Sequence, residues 1–475
     1  MKTKISAVIL AAGEGKRLKI REVKALAPIL GQRMIDYPIE EFKKFVHKRS
    51  LDWDVGIVIG HRRDEVREYL EKKYSDSIFL AIQEQQLGTA DAINSYFKAY
   101  NERFVKHSDK HSDYTLVICA DTPLIRAEDM DYLFSQIIES SNEIVAVAAT
   151  FLAANPLGYG RIVRGNVNGF HIVEEKDLDN STREIKEVNS GFYIFKTSYL
   201  IQALSEIKNN NNAGEFYLTD AFEDSAAVKA VLFNNGNKFL GVNTLEQLEE
   251  IEKIFRREKI SSLREEGVRF VDADSVFIDY AVKIGRNSLV YPGVVLEGEC
   301  NIGERVVLES GSVIRQTIIE NDVVIKAYTY IEDSIIKSKA QIGPFAHLRP
   351  ASDIGENVKV GNFVEVKKSI LRKGVKVSHL SYVGDAEVGE ESNVGCGFIT
   401  CNYDGKKKHK TTIGKNVFIG SDCQAVAPVE IASNSFVAAG STITENIPEG
   451  GFAIARSRQV TKPGMAKRFL ATEKK

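Results

Sequence analysis

The chain has 475 residues, more than one hydrophobic core usually organises, so we expect two or three domains. Its 63 lysines and arginines nearly balance its 65 aspartates and glutamates, and a net charge of −2 gives no reason to expect a nucleic-acid partner. The five cysteines are irregularly spaced, which argues against a disulfide framework, and no apolar run approaches the roughly 20 residues that cross a bilayer. Because the N-terminus also lacks the pattern of a signal peptide, we expect a cytoplasmic protein.

The first half of the chain alternates apolar strands with helical segments. It opens with the aliphatic strand KISAVIL, and later strands read VGIVIG, YTLVICAD and IVAVAAT. Helical text lies between them, for example from Asp36 to Phe45. This alternation predicts an α/β domain with a doubly wound, Rossmann-like sheet.

A glycine-rich loop follows the first strand. Gly13 and Gly15 would let the backbone pass close to a phosphate chain, and Lys16, Arg17 and Lys24 add positive charge. No third glycine completes a dinucleotide fingerprint, and no lysine-threonine pair marks a Walker loop. The spacing alone therefore leaves a phosphate site and an ordinary strand-to-helix turn equally open.

Two further segments place polar residues where ligands bind in such sheets. QEQQLGTADA puts Gln83, Gly88 and Thr89 on a predicted loop, and Asp121 ends the strand in VICADTPL. Ligands of open α/β sheets bind outside the carboxyl ends of the strands. These residues are therefore candidates for one site.

Between the halves, the sequence TLEQLEEIEKIFRREKISSLREEG combines helical periodicity with dense mixed charge. This pattern predicts a linker helix over residues 246–266.

The second half is organised in hexads. Aliphatic residues recur six apart in three runs: Ile284, Val290, Leu296, Ile302, Leu308 and Ile314; Ile342, Leu348, Ile354, Val360 and Val366; and Ile413, Ile419, Ile431, Val437 and Ile443. Glycine directly follows several of them. A period of six fits neither a helix nor a long strand, and it predicts a parallel β-helix whose coils stack on each other. The alternative, an ordinary β-sandwich, would alternate with period two.

The motifs read together resemble a known family. GYGRIV, IVEEKD, VNSGFYIF, GEFYLTD and GVN make the first half similar to sugar-nucleotide pyrophosphorylases. NFVEVKK, SHLSYVGDAE and TCNYDGK in the second half resemble the acetyltransferase domain of the bifunctional bacterial enzymes that make UDP-N-acetylglucosamine. The resemblance covers almost the whole chain. It implies a uridylyltransferase (nucleotidyltransferase) domain over 1–245, the linker helix over 246–266, and a left-handed β-helix N-acetyltransferase domain with a short tail over 267–475.

The family's chemistry defines the expected ligands. The resemblance implies that acetyl-coenzyme A acetylates glucosamine-1-phosphate, and that UTP then uridylylates N-acetylglucosamine-1-phosphate with Mg²⁺ as cofactor. It also implies a homotrimer, with the acetyl site where the β-helices meet, and no nucleic-acid or membrane partner. Two alternatives remain: an enzyme with one activity and a vestigial or redirected domain, and a non-catalytic regulatory scaffold of the same architecture.

The resemblance implies the residues of the acetyltransferase site. His379 matches the catalytic base, and Glu365 matches the carboxylate that orients or polarises it, a division of roles that acyl transfer to an amine requires. The sugar phosphate would contact Arg349, Lys367, Tyr382 and Asn393. Acetyl-coenzyme A would be lined by Cys396, Asn402, Tyr403, Ser421, Ala439 and Arg456. Direct transfer to the amine needs no cysteine nucleophile, so Cys396 and Cys401 are expected as small apolar fillers.

The uridylyltransferase residues are implied in the same way. Lys24 matches the family lysine that contacts the phosphates, and Arg17 lies in the signature that follows the glycine loop; both are expected as catalytic residues. Asp121 and Asn243 match the oxygen ligands of Mg²⁺, and Asn243 and Lys24 would also touch nucleotide or sugar. Uracil and ribose would be framed by Leu10, Ala11, Ala12, Gly13, Gln83, Gly88 and Thr89. The N-acetylglucosamine would be read by Gly160, Glu174 and Asn189.

Four positions in the first half depart from the family pattern. Lys16 stands in the glycine-loop signature where relatives have threonine, Val23 replaces a proline before Lys24, and Asp91 replaces a histidine. Ala120 replaces a glycine before Asp121, which matters most if the backbone there needs positive φ. These changes leave open whether both activities are retained.

The basic run from Lys406 to Lys410 (KKKHK) is local. A solvated loop and a loop that steers a phosphate-rich ligand are both consistent with it.

Overall fold

The structure is a computed structural model that describes residues 2–105, 110–139, 143–165, 169–222 and 225–470. The last five residues of the predicted tail, 471–475, lie outside the described residues. The chain divides into two compact units, residues 1–255 and 256–475. The boundary falls inside a helix that spans Leu245–Glu265. Among the described residues, no helix is both long and apolar enough to cross a membrane.

The first unit contains an α/β sheet. The α-helices, in chain order, are α1 Asp36–Arg49, α2 Arg63–Tyr74, α3 Thr89–Arg103, α4 Ala127–Ile138, α5 Thr197–Glu206 and α6 Leu245–Glu265. The strands are β1 Lys4–Ala11, β2 Pro28–Ile29, β3 Gln32–Arg33, β4 Asp52–Ile59, β5 Phe79–Ile82, β6 Tyr114–Cys119, β7 Ala146–Leu152, β8 Arg161–Arg164, β9 Phe170–Val173, β10 Glu187–Lys196 and β11 Val228–Phe233. The main strand order is β11-β7-β10-β6-β1-β4-β5; β8 pairs with β10, β9 pairs with β8, and β2 pairs with β3.

Strand β1 shows why the aliphatic runs become buried strands. Ile5, Ala7 and Ile9 belong to one hydrophobic cluster, and Val8 belongs to another on the opposite face. A strand covered on both faces needs a continuous apolar run rather than an alternating one. Because β1, β4, β5 and β6 are parallel, their carboxyl ends bring several loops to one edge of the sheet.

The carboxylate of Asp36 joins α1 to α2. Asp36 is fully buried and accepts hydrogen bonds from Tyr69 Oη at 2.6 Å, Lys73 Nζ at 2.7 Å and Tyr74 Oη at 2.9 Å. We predict that Asp36→Ala lowers the free energy of unfolding by about 3 kcal/mol, because two tyrosine hydroxyls and an ammonium lose their acceptor. Urea denaturation measures this, with the exposed Asp64 replaced by alanine as the control. Equal unfolding midpoints for both variants would show that the network does not stabilise the unit.

The second unit is a parallel β-helix with three faces, and its fold confirms the hexad prediction. Face A contains strands Arg269–Phe270, Leu289–Val290, Val307–Leu308, Val324–Ile325, Gln341–Ile342, Lys359–Asn362, Lys376–His379, Asn393–Val394, Phe418–Ile419, Phe436–Val437 and Phe452–Ala453. Face B contains Phe277–Ile278, Val295–Glu297, Val313–Arg315, Tyr330–Glu332, His347–Leu348, Glu365–Lys367, Tyr382–Gly384, Ile399–Cys401, Gln424–Val426 and Thr442–Ile443. Face C contains Lys283–Ile284, Asn301–Ile302, Ile318–Ile319, Ser334–Ile336, Ser352–Ile354, Ile370–Leu371, Ala386–Val388, Thr411–Ile413 and Val429–Ile431.

The hexad residues fill the interior, and the turns between faces fix the coil length. Ile284, Val290 and Leu296 lie on faces C, A and B in turn, and all three are buried. The step from face B to face C is only five residues in several coils: Ile314 to Ile319, Ile331 to Ile336, Val366 to Leu371 and Val383 to Val388. Corner residues take left-handed φ, as at Asn287 and Asp322, a conformation that asparagine and aspartate tolerate better than most residues. The short parallel strands exclude the β-sandwich alternative.

Candidate functional site

The first candidate centre lies at the carboxyl ends of β1 and β6. Lys24 Nζ donates hydrogen bonds to Asp121 Oδ2 at 2.5 Å and to Asn243 Oδ1 at 2.9 Å. The backbone of Val242 donates to the carbonyl of Asp121 at 2.9 Å, which fixes the two oxygen-bearing segments side by side. The fold therefore joins three predicted residues that are far apart in the sequence.

The donor set of this centre suits a hard cation. Asp121 offers a carboxylate and Asn243 an amide oxygen, and both are ligands that Mg²⁺ prefers. Within the described residues, no group of three histidine, cysteine, aspartate or glutamate side chains could hold a metal. A cation held here would therefore complete its coordination with phosphate oxygens and water.

A cavity of about 140 Å³ adjoins Lys24 and Asp121. Its lining is Leu10, Ala11, Gly13, Lys24, Ala25, Met34, Thr89, Cys119, Ala120 and Asp121. Sequence reasoning missed Ala25, Met34 and Cys119, because they carry no charged or glycine signal. Burial raises the pKa of the Cys119 thiol to about 12, so this thiol is not a nucleophile at neutral pH.

The loop before α3 is held from both sides. Gln83 Nε2 donates to the carbonyl of Gly88 at 3.0 Å and to Asp91 Oδ2 at 2.8 Å. Gly88 has φ +120°, and a Cβ there would lie 2.4 Å from the carbonyl oxygen of Phe216. Thr89 Oγ1 accepts a hydrogen bond from the backbone of Leu218 at 2.9 Å. The motifs LGTADA and GEFYLTD therefore form one structural unit.

The predicted sugar-reading residues also meet. The backbone of Asn189 donates to the carbonyl of Gly160 at 2.9 Å, and a Cβ on Gly160 would lie 3.4 Å from Glu174 Oε2. Thr219 Oγ1 donates to Glu174 Oε1 at 2.9 Å, and burial raises the pKa of Glu174. Asn189 Nδ2 donates to Tyr193 Oη at 2.6 Å. Thr219 and Tyr193 were not predicted, because isolated hydroxyl groups give no sequence signal.

Two predicted nucleotide contacts lie at the rim of this centre. Ala12 is buried, and its carbonyl accepts a hydrogen bond from Gln86 Nε2 at 2.5 Å. Arg17 is exposed on the glycine loop and is not part of the described cavity lining. The side chain of Arg17 is therefore not brought to Lys24 and Asp121 in this conformation.

The second candidate centre lies on face B of the β-helix. Glu365 lies between His347 and Tyr382 in the strand register, and Arg349 Nη1 donates to Glu365 Oε1 at 2.9 Å. Asn402 Nδ2 lies 2.6 Å from Asp385 Oδ2 and 3.5 Å from Tyr382 Oη. Stacking of coils thus groups most of the predicted sugar-phosphate residues on one face.

Lys367, on this face, lies near a second lysine that belongs to the loop between Cys401 and Thr411. The nearby side chain of Lys408 and the guanidinium of Arg349 lower the pKa of Lys367. Three positive groups at one place favour a bound dianion, because it would relieve their mutual repulsion. Of the basic run left open by the sequence, Lys408 is therefore a candidate site residue.

His379 lies where face A turns into face B. Its Nδ1 is 2.8 Å from Asn362 Oδ1, and the two residues are register partners in adjacent coils. The Glu365 carboxylate, expected to orient this imidazole, instead accepts the hydrogen bond of Arg349. Asn362 was not predicted, because its importance depends on how successive coils align.

The predicted coenzyme residues continue along the same edge. The backbone of Asp422 donates to the carbonyl of Cys396 at 2.7 Å, and that of Gly440 donates to Ser421 at 2.8 Å. Arg456 Nη1 donates to the carbonyl of Ala439 at 2.7 Å. Cys396, Ser421, Ala439 and Arg456 thus follow one another coil by coil, in a line that continues from His379.

Tyr403 and Asn393 lie off this line, as does Asn402, which was predicted with the coenzyme residues but contacts Asp385 at face B. Tyr403 is exposed on the loop between Cys401 and Thr411, which leaves face B at its other edge. Asn393 lies on face A, paired with Lys376 and Phe418. One protomer therefore does not bring Asn393 and Tyr403 to the edge that carries His379.

Comparison with known proteins agrees with this architecture. A nucleotidyl transferase family model matches residues 6–252, a GMPPB C-terminal domain model matches residues 273–352 and 330–403, and a bacterial transferase hexapeptide (six repeats) model matches residues 410–445. The Bifunctional protein GlmU of Acetivibrio thermocellus is 41% identical over 463 residues, which cover 96% of each chain. The same protein of Clostridioides difficile is 40% identical over 96% of each chain, and that of a Geobacillus strain is 41% identical over 98% of each. This chain belongs to the bifunctional GlmU family.

Membership of the GlmU family covers both units. Relatives that match nearly end to end carry the word bifunctional in their names, which disfavours a single-activity protein and a regulatory scaffold.

The structure accommodates each of the four departures from the family pattern. Val23 has φ −63°, which is within the range that proline imposes, so valine here takes the backbone conformation that a proline would have. Ala120 has no positive φ, and its backbone donates to the carbonyl of Leu10 at 2.9 Å. Asp91 accepts the hydrogen bond of Gln83, and Lys16 forms an ion pair with Glu14. None of the four disrupts the Lys24, Asp121 and Asn243 cluster.

Proposed function

We propose that this chain catalyses two successive reactions of UDP-N-acetylglucosamine synthesis. The unit of residues 256–475 acetylates glucosamine-1-phosphate with acetyl-coenzyme A, and the unit of residues 1–255 transfers UMP from UTP to N-acetylglucosamine-1-phosphate. The proposal rests on one observation: in a chain that covers 96% of a GlmU relative, each unit assembles a compact polar cluster from residues that are distant in the sequence.

Acetyl transfer requires a base and a phosphate clamp. His379 takes the proton from the substrate amine, the nitrogen attacks the thioester carbonyl, and the carbon–sulfur bond breaks to release coenzyme A. Arg349, Lys367 and Lys408 hold the phosphate of glucosamine-1-phosphate, while the Tyr382 hydroxyl offers a neutral contact. Acetyl-coenzyme A lies along the edge from Cys396 to Arg456, with its thioester at the His379 end.

Uridylyl transfer requires positioning and charge neutralisation. A phosphate oxygen of N-acetylglucosamine-1-phosphate attacks the α-phosphorus of UTP in line, and the bond to pyrophosphate breaks. Lys24 neutralises charge on the phosphates, and Glu174 and Asn189 orient the sugar. Asp121 and Asn243 would hold Mg²⁺, which supplies further charge neutralisation on the phosphates when bound.

Lys408 provides a specific test of the phosphate clamp. We predict that Lys408→Ala raises the KM for glucosamine-1-phosphate by about tenfold, because one charge-assisted contact is lost. Initial rates at saturating acetyl-coenzyme A measure it. The neighbouring Lys406→Ala is the matched control, and equal KM values for the two variants would exclude Lys408 from the site.

We also propose a homotrimer assembled through the β-helix. An exposed apolar ridge runs along one corner: Tyr328 and Phe345 stack with ring centroids 5.5 Å apart, Phe345 and Phe363 stack at the same distance, and Leu380 follows. A neighbouring β-helix covering this ridge would lie beside His379 and could supply the positions that one protomer keeps apart, such as Tyr403. We expect a light-scattering mass of three chains, and a smaller mass for Phe345→Ser with Phe363→Ser; a monomeric wild type would contradict the assembly.

One assay tests the two activities together. The purified chain receives glucosamine-1-phosphate, acetyl-coenzyme A, UTP and Mg²⁺, and release of coenzyme A and of pyrophosphate is followed separately. We expect both products, and we expect EDTA to stop pyrophosphate release while coenzyme A release continues. Coenzyme A release without pyrophosphate, even from supplied N-acetylglucosamine-1-phosphate, would exclude uridylyl transfer.

A further inference from the structure

The Nδ1 atom of the His379 imidazole contacts an amide side chain, not a carboxylate. Asn362 Oδ1 lies 2.8 Å from His379 Nδ1. An amide oxygen can only accept, so Nδ1 carries the proton and Nε2 keeps a free lone pair. The contact therefore selects the tautomer in which Nε2 acts as the base.

The β-helix fixes this contact through backbone register. Asn362 and His379 are paired residues at the ends of adjacent parallel strands, Lys359–Asn362 and Lys376–His379. The next residue of the lower coil, Phe363, and its counterpart Leu380 both take left-handed φ at the turn, of 57° and 45°. The backbone of Leu380 donates to the carbonyl of Asn362 at 3.1 Å, which ties the two turns together.

The charged and titratable groups near His379 do not take the place of the Asn362 amide as the partner of Nδ1. Lys376 lies on its own strand, Glu365 and Lys367 lie on the face B strand of the preceding coil, Tyr382 follows on the next strand, and Cys396 lies in the next coil. The Glu365 carboxylate forms an ion pair with Arg349, with 2.9 Å between Oε1 and Nη1. Asn362 is thus the side chain that contacts Nδ1.

We propose that Asn362 is the positioning residue of the acetyltransferase base: it holds His379 in the Nδ1-protonated tautomer without adding a negative charge that would stabilise the imidazolium. This inference rests on the proposed acetyl transfer. Because Asn362 is neutral, it orients the imidazole without placing a negative charge beside it.

Two substitutions separate orientation from charge. In Asn362→Leu the tautomer is no longer selected, and we expect kcat for acetyl transfer to fall by about tenfold or more while KM values change little. In Asn362→Asp the acidic limb of the kcat/KM profile should move up by about one pH unit, because the carboxylate stabilises the protonated ring. Asn301→Leu, an exposed strand position on face C, is the control for substitution of an asparagine in the β-helix.

A nitrogen NMR experiment reads the tautomer directly. The full chain labelled with ¹⁵N-histidine is compared with Asn362→Leu, and the His379 signals are assigned by their loss in His379→Gln. We expect protonated Nδ1 in the wild type and a mixture of tautomers in the variant. Protonated Nε2 in the wild type, an unchanged tautomer in Asn362→Leu, or an unmoved acidic limb in Asn362→Asp would overturn the proposal. Absence of acetyl transfer in the wild type would instead refute the proposed function, and the NMR comparison would still decide the role of Asn362.

Discussion

His379→Gln should reduce kcat for acetyl transfer by about 10²-fold or more, because a positioned base contributes about 10² to 10⁴. Glutamine keeps the side chain polar but cannot accept the amine proton as a base. Uridylyl transfer from supplied N-acetylglucosamine-1-phosphate should be unchanged, because Lys24, Asp121 and Asn243 belong to the other unit. Release of coenzyme A and of pyrophosphate are measured separately.

The control for this variant is His171→Gln, at an exposed histidine outside both clusters. It should retain both activities. If His379→Gln transfers acetyl groups at the wild-type rate, His379 is not the base, and the site on face B must use another group.

Lys24→Met should produce the reverse result. It removes the ammonium that contacts Asp121 and Asn243, and we expect kcat for uridylyl transfer to fall by about 10²-fold, as when one preorganised electrostatic donor is lost. Acetyl transfer should be unchanged. Pyrophosphate release from UTP and N-acetylglucosamine-1-phosphate measures the effect at saturating Mg²⁺.

The matched control is Lys72→Met, which removes an exposed lysine of α2 without touching the cavity. A normal uridylyl transfer rate in Lys24→Met would remove Lys24 from the catalytic set. A loss in both variants would point to lowered stability of the unit rather than to chemistry.

The fold could be predicted because burial dictates its period. One inward aliphatic residue per face, as at Ile284, Val290 and Leu296, requires a coil that turns after each short strand. The coils that are one residue shorter, as between Ile314 and Ile319, could not be predicted. A shorter coil forms where a corner can turn in left-handed φ while using one residue fewer. The hexad spacing does not indicate which corner can do so.

The candidate sites were predictable to different degrees. Lys24, Asp121 and Asn243 carry charge or oxygen ligands in recognisable motifs, and in the fold Lys24 contacts both of the other side chains. Asn362 contacts His379 only because successive coils place residues 17 apart side by side. Lys408 lies near Lys367 only because its loop folds back toward face B. Their neighbours in space are not their neighbours in sequence.

Mixing two single-site variants tests most directly whether one chain carries two independent activities. His379→Gln and Lys24→Met are incubated separately and together with glucosamine-1-phosphate, acetyl-coenzyme A, UTP and Mg²⁺, and UDP-N-acetylglucosamine is quantified by chromatography. We predict almost no product from either variant alone and restored product from the mixture, because N-acetylglucosamine-1-phosphate made by one variant is used by the other. Product from either variant alone at the wild-type rate, or none from the mixture, would contradict two separate sites.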